Sequence, residues 1–103
     1  MRRYKNEQGI TSTKFEQEVI IRCTLGGNFN KTKVEVELEH GDWYLDFDDI
    51  RDYFNDLYGK EFSQEELIAE VYDTMWREYE PKTLIVRAIE TTHPASVIER
   101  KSF

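Results

Sequence analysis

Only one cysteine, Cys23, occurs in the chain, so no disulfide within it can form, and a lone thiol is either a small buried side chain or a nucleophile. Two histidines, His40 and His93, stand far apart with no second ligand at metal spacing, and two prolines with five glycines leave no linker or low-complexity stretch. No apolar run approaches the roughly 18 residues that a membrane-spanning helix requires. The opening MRRYKNEQG has basic residues with no apolar stretch behind them, so a cytoplasmic protein is the expectation. Positive charge is in the minority, 14 Lys and Arg against 21 Asp and Glu. The resulting net charge of −7 repels a phosphate backbone and argues against broad, non-specific nucleic-acid binding.

What the chain does have is bulk for one core. Six Tyr, six Phe and two Trp among 103 residues suit a single compact domain and leave no room for a second. Residues 13–25 combine alternation with β-branched Val19, Ile20 and Ile21 and are read as a strand ending at Gly26-Gly27. Residues 33–38, KVEVEL, alternate strictly and predict a half-buried antiparallel strand. Trp43-Tyr44-Leu45 is expected to continue the same sheet after the His40-Gly41-Asp42 turn. Asp46 then caps a helix with Phe47, Ile50, Phe54 and Leu57 on its buried stripe and Gly59 at its end. Ser63 with Glu66 forms a capping box for a second helix, whose stripe reads Leu67, Ile68, Val71, Tyr72, Met75 and Trp76 before Pro81. Residues 83–89, TLIVRAI, predict a central strand, and Val97-Ile98 a short last one.

Strand pairs before and after two helices predict an α+β domain, an antiparallel sheet in ββααββ order with both helices on one face. A sheet covered on one side only implies a homo-oligomer that buries the other. Residues 1–12 are read as an N-terminal extension and 13–103 as the domain.

With that order in place, residues 13–99 resemble the tunnelling fold (T-fold), small oligomeric barrels that bind purines and pterins between subunits. Cys23, the following KTKVEVEL and the stretch LDFDDIRDYFNDLYGKEFSQEEL are similar in spacing to the short, archaeosine-forming form of the nitrile-reductase branch, which acts on 7-cyano-7-deazaguanine in tRNA. That resemblance implies Cys23 as the nucleophile and Glu65 as the base-holding carboxylate. The place of the proton-shuttling acid, seven residues after the cysteine, is Asn30, and the histidine before the base-binding glutamate is Gln64. YLDFDDI and VRAIETT are also similar to segments of the pyruvoyl- and carboxy-tetrahydropterin synthases, which implies a ring-anchoring role for Glu90. Where that group carries its zinc histidines this chain has Asn28-Phe29-Asn30, and amides are poor zinc ligands, so no metal is expected.

The residues permit more than one chemistry. A Cys23 thiolate can add to a nitrile carbon, while a strand cysteine can equally be packing alone. Glu65 and Glu90 can each accept two hydrogen bonds from the N–H edge of a guanine-like ring, although a glutamate in a helix first turn also suits the dipole without any ligand. Asp46, Asp48, Asp49, Asp52 and Asp56 read as a solvated helix face, and His40 and His93 as surface residues. Trp43 and Trp76 read as core or subunit contacts. The partner expected is a purine-like small molecule or a modified tRNA base, with no cofactor, since so short a chain leaves little sequence for a nicotinamide site. The rival readings are a non-catalytic acidic scaffold and a zinc-less relative of the pterin synthases.

Overall fold

A computed structural model describes residues 1–24, 26–91 and 94–102. The elements are β1 (Arg3–Lys5), β2 (Ser12–Arg22), β3 (Phe29–Glu39), β4 (Trp43–Leu45), α1 (Phe47–Leu57), α2 (Gln64–Tyr79), β5 (Thr83–Glu90) and β6 (Ser96–Lys101). The alternation in KVEVEL does form a strand. It extends at both ends, because β3 pairs antiparallel with β2 along its whole length, from Ser12↔Glu39 to Arg22↔Phe29. The sheet order is β2-β3-β5-β6, antiparallel throughout.

Both helices cover the same face of this sheet. Val19 and Ile21 of β2, Val34, Val36 and Leu38 of β3, and Leu84, Val86 and Ala88 of β5 are buried beneath Ile50, Phe54 and Leu57 of α1 and Leu67, Ile68, Val71 and Met75 of α2. This is what period-2 strands and period-3.6 helices produce when each offers one apolar side to a shared layer.

The helix ends follow the local chemistry. The Asp46 carboxylate accepts from the Asp49 N–H at the start of α1. Ser63 and Glu66 form the reciprocal capping box that opens α2. Gly59, at φ +77°, supplies the left-handed turn after α1, a conformation that L side chains seldom adopt.

Several expectations change. Trp43–Leu45 does not extend the main sheet but forms a separate two-stranded ribbon with β1, in register Arg3↔Leu45. The segment 1–12 thus contributes a strand, and Arg2 clasps Asp49 through paired hydrogen bonds. Phe47 and Trp76 are 47% and 41% exposed, so neither is core. Phe47 instead lies on Phe15 and Tyr44, and Trp76 stacks on Tyr72, which lies under the Arg100 guanidinium. Trp43 is half-buried under the Arg3 guanidinium. His40 is buried rather than superficial: Nδ1 faces the Trp43 carbonyl at 3.2 Å and Nε2 the Thr13 hydroxyl at 2.7 Å. Together those partners satisfy both ring nitrogens. His93 lies outside the described residues, as does Leu25, where the first long strand was expected to end.

The uncovered face of the sheet is not apolar, which removes the argument that oligomerisation must bury it. Arg87 lies between Glu37 at 3.1 Å and Glu99 at 3.0 Å, Lys33 reaches Glu16 at 3.4 Å, and Lys31 reaches Glu18 at 3.3 Å. The hydrogen bonds that the Arg87 guanidinium donates to Glu37 and Glu99 raise its pKa. Ile20, Ile85 and Ile89 are half-buried within this charged lattice.

Candidate functional site

At the end of the sheet where β2 stops and β5 finishes, the backbone gathers the candidate residues. β2 ends at Arg22, so Cys23 lies just past the strand, half-buried in the turn to β3 and not inside a strand. Its N–H donates to Asn28 O at 2.8 Å and its carbonyl accepts from Gly27 N–H at 2.9 Å, a tight loop in which Gly27 takes φ +69°. The adjacent residue, Arg22, bridges the segment leading into α2: its N–H donates to Lys60 O at 2.9 Å and its carbonyl accepts from Phe62 N–H at 3.0 Å. Cys23 and Ser63, the α2 cap, are therefore each one residue from the Arg22–Phe62 hydrogen bond.

Strand alternation sorts the remaining side chains. Asn30 faces Ile21 in the β2–β3 register, and Ile21 is buried on the helix-covered side, so Asn30 shares that side and is half-buried. Glu90 follows Ala88 at the end of β5 on the same side. There its carboxylate accepts a hydrogen bond from the side-chain amide of Gln64, the first residue of α2. Glu65 comes next in the helix and is exposed, while Glu66 is committed to the capping box.

Thus Cys23, Asn30, Gln64 and Glu90 are brought to one end of one face, with Glu65 beside them at the rim. Among the described residues no group of three or more His, Cys, Asp or Glu is placed to hold an ion. Asp46 and Asp49 are tied to α1 and the N-terminal strand instead. The Arg2 guanidinium and N–H hold Asp49 at a pKa of about 2, and the Asp49 N–H with the Tyr4 hydroxyl lowers that of Asp46. Burial, by contrast, raises the pKa of the Tyr53 hydroxyl above its ordinary value, where it faces Thr74 and Glu70.

Two features escaped the sequence reading. The Gln64–Glu90 bond joins residues 26 apart in the chain, and no local pattern announces it. Thr32 did carry a signal: it occupies the inward parity of KTKVEVEL, where Val34, Val36 and Leu38 are apolar. A shallow depression of about 330 Å³ adjoins Glu90, lined also by Ile89, Thr91, Ala95, Ser96 and Val97. Other depressions of about 300 and 310 Å³ lie near Thr11 and Glu39 and near Asn6 and Trp43, and neither holds any candidate residue.

No family profile matches the sequence, and no curated protein matches it. Solved structures do. A crystal structure of the archaeosine synthase QueF-like in its apo form superposes with a TM-score of 0.84 at 14% identity, covering 91% of this chain and 95% of that one. A putative dihydroneopterin aldolase (FolB) from Vibrio cholerae O1 biovar El Tor str. N16961 superposes at 0.67 with 18% identity, covering 91% and 99%. Among the described residues no helix is long and apolar enough to cross a membrane. Identities this low establish architecture and nothing finer, and the architecture is the tunnelling fold.

Proposed function

We propose that the chain binds a 7-deazaguanine or a similar purine-like ring at the Cys23–Gln64–Glu90 end of the sheet, and that Cys23 adds to the nitrile of 7-cyano-7-deazaguanine. The observation that carries this reading is the meeting of the Cys23 turn, the α2 N-terminus and the β5 end through the Arg22–Phe62 and Gln64–Glu90 hydrogen bonds. Similarity in fold to the archaeosine synthase QueF-like supports it.

In the addition, the Cys23 sulfur forms a bond to the nitrile carbon, one π bond of the nitrile opens, and the thiol's proton goes to the nitrile nitrogen to give a thioimide. Glu90 and Glu65 are the carboxylates available to accept N–H bonds from the ring edge. Asn30 stands where an acid would relay the proton, and an amide neither gives nor takes one near neutral pH. The protein therefore forms the adduct through solvent-borne protons and turns it over slowly. The substrate arrives as the free heterocycle or as a modified tRNA base, the net charge of −7 disfavouring extensive backbone contact.

Intact-mass spectrometry with 7-cyano-7-deazaguanine tests the proposal. Wild type gains the full mass of one ligand, Cys23→Ala gains nothing, and Asn30→Asp forms or consumes the adduct faster. Binding without modification would reduce Cys23 to a structural thiol. Absence of binding by deazapurines and pterins alike would favour an acidic, non-catalytic scaffold.

A further inference from the structure

Thr32 is fully buried, and its hydroxyl has no hydrogen-bond partner; it is the one such side-chain atom among the described residues. A buried hydroxyl left unpaired destabilises a fold, and valine has nearly the same shape without that defect. Packing alone would thus favour Val at this position, as at Val34 and Val36 on the same strand face. The register shows what lies beside the hydroxyl. The β3–β5 ladder ends at Lys33↔Ile89, and Thr32 and Glu90 are the next residue on each strand, both on the helix-covered side. On that neighbouring carboxylate sits the Gln64 amide.

We infer that Thr32 is a recognition residue, its hydroxyl completing a ligand-facing pair with the Glu90 carboxylate once the Gln64 amide is displaced. The inference rests on the ring-binding reading above and deepens it. A carboxylate accepts from adjacent N–H donors, and a hydroxyl beside it can donate to a carbonyl oxygen, so the pair fits a lactam edge flanked by an amino group. Guanine, 7-deazaguanine and pterin rings present that edge, and adenine does not. In the free protein Gln64 offers its N–H to the carboxylate in the ligand's place but leaves the Thr32 hydroxyl unpaired. A ligand satisfying both makes three hydrogen bonds, two to the carboxylate and one from the hydroxyl, in place of the one from Gln64, a net gain of two.

Titration calorimetry with guanine, 7-cyano-7-deazaguanine and adenine, together with melting curves, tests this on wild type, Thr32→Val, Thr32→Ser and Gln64→Ala. Thr32→Val melts several degrees higher without ligand yet binds guanine or the deazaguanine roughly 5- to 10-fold more weakly, the loss of about one hydrogen bond. Thr32→Ser retains wild-type affinity, Gln64→Ala binds several-fold more tightly because its competitor is gone, and adenine binds to none of them. Unchanged affinity in Thr32→Val, or a lower melting point for it, overturns the inference while wild-type binding leaves the ring-binding reading standing. Weaker binding by Gln64→Ala overturns the displacement. Failure of wild type to bind any of these rings overturns both.

Discussion

Replacing Phe54 by Ala should come close to unfolding the protein, whereas replacing Trp76 by Ala should cost several-fold less. Phe54 is 1% exposed and packs edge-on against Phe15 at 6.3 Å and Tyr53 at 5.4 Å between ring centroids. Truncating a buried phenylalanine typically costs ~3–5 kcal/mol, the lost transfer energy plus the cavity left behind. A domain of this size holds a total of ~5–15 kcal/mol, so the change removes a large share of it. At ~4–8 °C per kcal/mol, the melting midpoint should fall by roughly 12–40 °C. Trp76 is the larger ring, but it is 41% exposed and its main contact is the parallel stack on Tyr72 at 6.1 Å. Loss of such a pair with partial burial is worth about 1 kcal/mol, a shift of roughly 4–8 °C. Thermal denaturation followed by circular dichroism, at one protein concentration, compares the two variants directly. Should Trp76→Ala destabilise as much as Phe54→Ala, the indole would have to be buried against something, and the assignment of faces on α2 would be wrong. Dependence of the Trp76→Ala effect on protein concentration would identify that cover as a second copy of the chain.

Three further outcomes are expected. Ser63→Ala removes the hydroxyl that accepts from the Glu66 N–H, while the backbone N–H of residue 63 still donates to the Glu66 carboxylate, and should lower stability by about 1 kcal/mol in urea titration. Asp46 and Asp49 bind protons less readily in the folded than in the unfolded chain. Their stabilising contribution should therefore be complete above about pH 4 and disappear as pH falls toward about 2, and Arg2→Ala should flatten that limb of an acid-unfolding curve. Tyr79→Phe removes a hydroxyl that accepts from the Asp46 N–H at 3.3 Å and donates to the Arg2 carbonyl at 3.1 Å. A loss of about 1 kcal/mol in chemical denaturation is expected, and unchanged stability would show that the N-terminal strand is not held through this residue.

The elements themselves were legible in the residues because their signals are local. Alternation in KVEVEL sets one face of β3 whatever lies beyond it. Asp46 and Ser63 bond to backbone N–H groups three residues away, an interaction complete within a single turn. The order of strands and helices then limited the architecture to helices on one side of an antiparallel sheet. Cys23, Asn30, Glu65 and Glu90 were named because the resemblance to tunnelling-fold families implies them, and whether they meet could not be read from the chain.

Tertiary structure decided everything that depends on which neighbour covers a side chain. Trp76 lies on an apolar stripe wider than the arc of helix that a sheet can cover, so Met75 at its centre is buried and the indole at its flank is not. His40 is buried because Thr13, 27 residues earlier, arrives beside it to satisfy its ring. The charged lattice around Arg87 joins three strands, and no single strand contains the complementarity that keeps its uncovered face polar. Gln64 and Glu90 come from a helix start and a strand end. Their proximity follows from strand register and chain return, long-range relations that local periodicity does not encode.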